Sequence, residues 1–225
     1  MKNLILLISI FLMSETTMAQ DWPNLSRFQK ENAQLGQPAK GEERIVFMGN
    51  SITEQWINLD PEFFAKNKLI NRGIGGQTTP QMLLRFRQDV IDLHPKAVII
   101  LAGINDIAGN TGPSTLKMIE DNFQSMAELA KVSGIHVILC SLLPSNKIPW
   151  RNNQDFSTQI DSLNQWLLHF AKTNSCVYVD YFSKLADSEK GLPEKYSKDG
   201  VHPTIEGYHV MEKIIIPYIE KIRKK

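Results

Sequence analysis

The chain has 225 residues, with 25 basic against 24 acidic side chains, 42% hydrophobic and 22% charged. That length suits one globular domain, and the apolar share is too high for a disordered chain. A net charge of +1 argues against a nucleic-acid binder, which needs a concentrated basic face, and two cysteines exclude a disulfide scaffold or a multi-cysteine zinc module.

At the N-terminus, Lys2 precedes an apolar run from Leu4 to Met13 broken only by Ser9, and Thr17-Met18-Ala19 supplies small residues after it. This is the pattern of a secretory signal peptide over residues 1–19, cleaved between Ala19 and Gln20. The run is shorter than the roughly 20 apolar residues a membrane span needs. No cysteine near the cleavage site indicates a lipid anchor. The expectation is an exported protein, periplasmic or secreted, with no integral membrane segment after cleavage. Residues 20–40, with Pro23, Gly36 and Pro38, read as an irregular lead-in, and residues 41–225 as the folded domain.

Short apolar runs rich in β-branched residues then recur: Ile45 to Met48, Ala97 to Leu101, His136 to Cys140, and Val177 to Val179, with a weaker one over Lys68 to Asn71. Continuous rather than alternating apolarity predicts strands covered on both faces, as in a parallel sheet. Helical stripes lie between them. Met82, Leu83, Phe86 and Val90 follow Pro80. Leu116, Ile119, Phe123, Met126 and Ala130 lead to a stop at Gly134. Ile160, Leu163, Leu167 and Phe170 follow Asp155 or Ser157 as N-cap. A last helix starts near Thr204 and carries Met211, Ile215, Ile219 and Ile222, with Pro217 predicting a kink or break. The closing Lys221, Arg223, Lys224 and Lys225 complement that helix's C-terminus. Strand–helix alternation predicts a three-layer α/β/α domain around a mainly parallel five-stranded sheet. Cys140 closes one strand and Cys176 opens the next, so their thiols fall at opposite ends of the sheet, beyond the ~7 Å Cα separation a bridge tolerates. Both read as buried and free.

Ligands bind open parallel sheets beyond the carboxyl ends of the strands. There the chain places Gly49-Asn50-Ser51-Ile52-Thr53, Asn71-Arg72-Gly73-Ile74-Gly75-Gly76 and Gly103-Ile104-Asn105-Asp106, with Asp199-Gly200-Val201-His202 just before the last helix. A serine nucleophile needs a base, the base an orienter, and the oxyanion several donors. Ser51 lies at a strand-to-helix turn, where free N–H groups favour developing negative charge. Among five histidines, His94 and His136 stand at strand entrances and His169 and His209 within helices, leaving His202 on the active edge. Asp199 is three residues away, able to fix its tautomer. The Ser51 and Gly76 backbone N–H groups and the Asn105 amide are the candidate oxyanion donors. Taken singly, each block also has a plain structural reading as a turn or cap. Trp150 and Arg151, with Asn152, are candidates for a substrate-binding wall or an ordinary surface loop. Thr78 in place of a third glycine departs from a dinucleotide fingerprint, and no metal motif is present, so neither cofactor nor metal is expected.

These four blocks, in this order, resemble those of the SGNH hydrolases, also called the GDSL esterase/lipase family. The resemblance covers Gly49 to His202 and implies a flavodoxin-like sheet, Ser51, Asp199 and His202 as triad, and Gly76 and Asn105 joining Ser51 in the oxyanion hole. Gly76 is chosen by aligning Gly76-Gln77-Thr78 with the family's Gly-Asp-Thr. The family's first block usually reads Gly-Asp-Ser; Asn50 keeps the size and one acceptor but loses the charge. The stretch from Arg44 to Arg87 is most similar to the platelet-activating-factor acetylhydrolase subunit type, which includes exported bacterial acetylesterases. That branch implies a short-acyl, acetyl preference on a small-molecule or saccharide ester, and subunits that often pair as homodimers. The competing readings are a lysophospholipase or thioesterase for longer acyl chains, and a carbohydrate-binding domain with a retired triad.

Overall fold

A computed structural model describes residues 20–224; the signal-peptide segment and Lys225 lie outside them. The elements in chain order are α1 (Gln29–Leu35), β1 (Ile45–Gly49), α2 (Ser51–Leu59), α3 (Pro61–Lys66), β2 (Leu69–Gly73), α4 (Thr79–Asp89), β3 (Ala97–Leu101), α5 (Ile104–Ile107), α6 (Leu116–Val132), β4 (His136–Cys140), α7 (Ser157–Thr173), β5 (Val177–Val179), α8 (Phe182–Leu185) and α9 (Ile205–Arg223). Short 3₁₀ turns occupy Ile91–Leu93 and Pro149–Arg151.

All four strand pairings are parallel, in the order β2-β1-β3-β4-β5. This is the flavodoxin-like order, with its topological switch point between β1 and β3. Every residue of β1 and β3 is buried, which is why their sequences are uninterrupted apolar runs. Helices α2, α3 and α9 pack together, as do α4, α6 and α7, with α1 against α4. Right-handed crossovers put these two groups on opposite faces of the sheet.

Helix α6 ends in a Schellman turn: Gly134, at φ +72°, donates to the Lys131 carbonyl and Ile135 donates to that of Ala130. Trp56 ties the two helices that flank the site. It lies between Phe63 and Tyr208, with ring centroids 5.4 and 5.2 Å away, while the Tyr208 hydroxyl donates to the Ile52 carbonyl at 2.7 Å. Burying each such aromatic contributes about 1.5–3 kcal/mol, and here it fixes the start of α9 against α2.

Three expectations are corrected. The lead-in is not irregular throughout, because it contains α1, whose sequence Gln-Lys-Glu-Asn-Ala-Gln-Leu buries no residue and so shows no apolar stripe. Neither Asp155 nor Ser157 is the N-cap of α7; Phe156 holds that position, and Asp155 reaches past it to accept from the Ser157 N–H at 2.8 Å. Helix α9 runs through Pro217 without a break, so of the kink or break expected there the break is excluded. Pro217 and Lys213, whose carbonyl loses its partner four residues on, are both exposed, so water can satisfy that carbonyl. Cys140 is buried and Cys176 half-buried, and both are free.

Candidate active site

The switch point sets the site. Ser51 is the first residue of α2, directly beyond β1, and Asn105 lies in α5 beyond the neighbouring β3. Gly73 ends β2 on the other side of β1, where a Cβ would come within 2.3 Å of the Glu54 backbone nitrogen. Only glycine lets the chain pass so close to α2.

The Ser51 Oγ is 2.8 Å from His202 Nε2, and His202 Nδ1 is 2.6 Å from Asp199 Oδ2. The other oxygen, Asp199 Oδ1, accepts from the Val201 and His202 N–H groups at 2.9 and 2.8 Å and from the Ser197 hydroxyl at 3.1 Å. Burial alone would push the Asp199 carboxyl up, but the His202 ring and these N–H donors hold it below the usual carboxylate range. An ionised carboxylate can only accept, so the proton of a neutral His202 sits on Nδ1 and Nε2 is left to accept from the Ser51 hydroxyl. A hydroxyl aligned in this way can transfer its proton to the imidazole as it attacks an electrophile.

The candidate oxyanion donors line one cleft. As the first residue of α2, Ser51 has an N–H with no intrahelical acceptor. The Gly75 N–H is taken by Glu54 Oε2 at 2.9 Å, whereas that of Gly76 has no acceptor among the described residues. Gly76 adopts φ +74°, which a side chain would resist. Asn105 Nδ2 spends one hydrogen on the Gln77 carbonyl at 2.9 Å, leaving the other available. The cleft, of about 580 Å³, is bounded by Ser51, Gly76, Asn105, Gly109, Asn110, Trp150, Arg151 and His202. Trp150 and Arg151 are therefore brought to the site. The Trp150 indole donates to Asn110 Oδ1 at 2.9 Å, its ring lies 6.1 Å from that of His202, and the side chain is exposed.

Among the described residues, one side-chain group has the make-up of a cation site: Asp60, His209 and Glu212, with donor atoms within 4.8 Å of one another. It lies beyond the far end of α2 from Ser51, and the Phe63 N–H and the Trp56 indole already donate to its two carboxylates.

A model of the GDSL-like lipase/acylhydrolase family matches residues 47–210. The chain belongs to that family. It is accordingly a carboxylic ester hydrolase. This GDSL-like hydrolase is similar to a candidate acylhydrolase of Bacteroides fragilis NCTC 9343, known from its crystal structure, at 50% identity over 91% of this chain and 99% of that one, with a TM-score of 0.89. It is 25% identical over 195 residues to an arylesterase of Vibrio mimicus, covering 75% of this chain and 84% of that enzyme. It is 33% identical over 126 residues to the Bacillus subtilis lipoprotein YqeF, covering 48% of this chain and 52% of that protein, so the match spans about half of that relative.

At its first block this GDSL-like hydrolase caps α2 with Asn50, whose Oδ1 accepts from the Ile52 N–H at 3.0 Å as an aspartate would. The Asn50 Nδ2 is buried with no partner among the described residues, at a cost of about 1–3 kcal/mol. Sequence reading missed the supports behind the site. Ser197 was not singled out as a brace for Asp199. Asp106, whose block has only a plain reading as a turn or cap beside its catalytic one, supports the first turn of α4, accepting the Thr79 N–H at 2.9 Å and the Thr79 hydroxyl at 2.5 Å. This contact pins the Asn105 turn to α4. Burial pushes the Asp106 carboxyl up to about 6 against the pull of the Thr79 donors. The folded chain therefore holds a proton between about pH 4 and 6 that the unfolded chain has released, and this group lowers stability as pH rises through that window. Asp106→Asn is expected to remove that contribution, making the pH dependence of the urea midpoint less negative between about pH 4 and 6; a profile parallel to the wild type would contradict it.

Proposed function

We propose that this family member is an exported serine esterase that removes short acyl groups, chiefly acetyl, from sugars or similar polar alcohols. The observation that carries the reading is the 2.8 Å and 2.6 Å chain from Ser51 through His202 to Asp199. In the proposed cycle the Ser51 oxygen adds to the ester carbonyl carbon as its proton passes to His202 Nε2. The carbonyl oxygen becomes an oxyanion facing the Ser51 and Gly76 N–H groups and the Asn105 amide, each worth about 2.7–4 kcal/mol in the transition state. Collapse breaks the bond to the alcohol oxygen, which takes the proton from His202. A water deprotonated by His202 then attacks the acyl-serine, and the acid leaves with Ser51 restored.

Short acyl groups are favoured by the shape of the site. The apolar cavity beside the cleft, bounded by Asn50, Ile52, Leu101, Ile104, Leu142 and Val201, has only about 10 Å³ of open space and so offers no room for a long acyl chain. That volume is about what one water needs. The main cleft presents the polar side chains of Ser51, Asn105, Asn110, Arg151 and His202 beside two glycines and the Trp150 ring, with no long aliphatic side chain in its wall. The exposed Trp150 side chain offers a platform for a sugar ring, flat and apolar beside polar neighbours. Export rests on the Lys2–Ala19 pattern and is consistent with the match to a lipoprotein.

On a short nitrophenyl ester, Ser51→Ala is expected to abolish turnover; a rate equal to the wild type would leave only a retired, binding site. Across nitrophenyl esters of graded length the rate should be greatest at acetyl, and an optimum at long chains would support the lysophospholipase or thioesterase reading instead. Trp150→Ala is expected to raise KM severalfold for an acetylated oligosaccharide while leaving nitrophenyl acetate turnover near wild type. An equal effect on both substrates would remove Trp150 from sugar binding.

A further inference from the structure

We infer that Arg85 is a positioning residue that cross-braces the three oxyanion donors, an inference that rests on the serine-esterase reading. Arg85 lies on α4 with no exposed surface, paired to the equally buried Asp89 at 3.1 Å. Such a pair is a costly way to fill a core, since apolar residues of the same volume are often as stabilising or more so. What the guanidinium reaches gives it a use. Its Nε donates to Gln77 Oε1 at 2.6 Å and its terminal nitrogen to the Gly49 carbonyl at 3.1 Å.

Those two partners flank the donors. Gly49 ends β1, two residues before Ser51. Gln77 immediately follows Gly76, and its own carbonyl accepts the Asn105 amide at 2.9 Å. One rigid planar group thus spans the peptide before the first donor and the residue after the second, and that residue holds the third. A lysine could not imitate this, because it offers a point charge on a flexible stem rather than a fork of donors.

The brace is itself anchored by the N-terminal lead-in. Asp89 Oδ1 accepts from Asn32 Nδ2 at 2.8 Å, Asn32 Oδ1 accepts from Arg72 at 2.6 and 2.9 Å, and Gln77 Nε2 donates to the Pro23 carbonyl at 2.8 Å. Helix α1, which buries no residue, is placed where its one asparagine closes this network. Burial pushes the Arg85 guanidinium down to about 10, still charged at neutral pH.

Donors that act on the oxyanion are felt in the transition state, so misplacing them lowers kcat and kcat/KM together and leaves KM alone. The test uses Arg85→Lys and Gln77→Met, the second keeping the Arg85–Asp89 pair intact. Both are assayed on a short nitrophenyl ester at a temperature where circular dichroism shows each fully folded. The expected result is a fall in kcat of about 10–100-fold. KM should stay within roughly twofold of wild type, and the pH profile should be unchanged, because His202 and Asp199 are untouched. A folded variant with kcat within roughly twofold of wild type, or one whose loss appears in KM, would overturn the inference. Should Arg85→Lys not fold, Gln77→Met decides. Ser51→Ala is run alongside: if it matches the wild type, the esterase reading has failed and this inference with it. A dead Ser51→Ala beside a fully active Gln77→Met overturns the positioning role alone.

Discussion

The hydrogen bond between the Ser51 hydroxyl and the His202 imidazole joins positions 151 residues apart in the chain, and the rest of the structure serves to make that closure cheap. The hydroxyl is delivered by the turn from β1 into α2, and the imidazole by the loop that enters α9. Neither loop could hold its side chain to a few tenths of an ångström by itself. Trp56 stacked against Tyr208, with the Tyr208 hydroxyl on the Ile52 carbonyl, fixes the two helices to each other behind Ser51 and His202. The loop is further held by Asp199, which accepts from two successive N–H groups and the Ser197 hydroxyl.

The site carries more buried polarity than stability alone would favour. Asn50 has an amide nitrogen with no partner among the described residues, Asp106 ionises with difficulty, and Arg85 with Asp89 brings a charge pair into the core. Each lies next to an element that presents a candidate donor or nucleophile. Preorganised dipoles of this kind cost folding energy so that little reorganisation is needed when charge develops. Their common neighbourhood is the switch point between β1 and β3, where chain segments on either side must diverge and leave a crevice.

Much of this was legible in the sequence. The strands were visible because residues such as Ile45 to Met48 and Ala97 to Leu101 are buried on both faces, and the long helices because Phe123, Leu163 or Ile215 recur at helical spacing. Ser51, His202, Asp199, Gly76 and Asn105 could be picked out because their residue types are informative and each falls just beyond a strand or before a helix. Trp150 was ambiguous for the opposite reason: an aromatic on an irregular loop has no period to place it. Helix α1 was hidden because it buries nothing. The brace through Arg85, Gln77 and Asn32 could not be read at all, since it depends on which side chains face one another across α1, α4 and the β2–α4 turn. The continuity of α9 through Pro217 likewise depended on exposure, which periodicity alone does not give.

In the proposed mechanism the His202 contact is what makes Ser51 a nucleophile. Peptide mapping by mass spectrometry after treatment with a fluorophosphonate tests this most directly. One adduct on the Ser51 peptide of the wild type, formed much more slowly in His202→Ala, is the predicted result. No adduct at Ser51, or one that forms as fast without the imidazole, would contradict it.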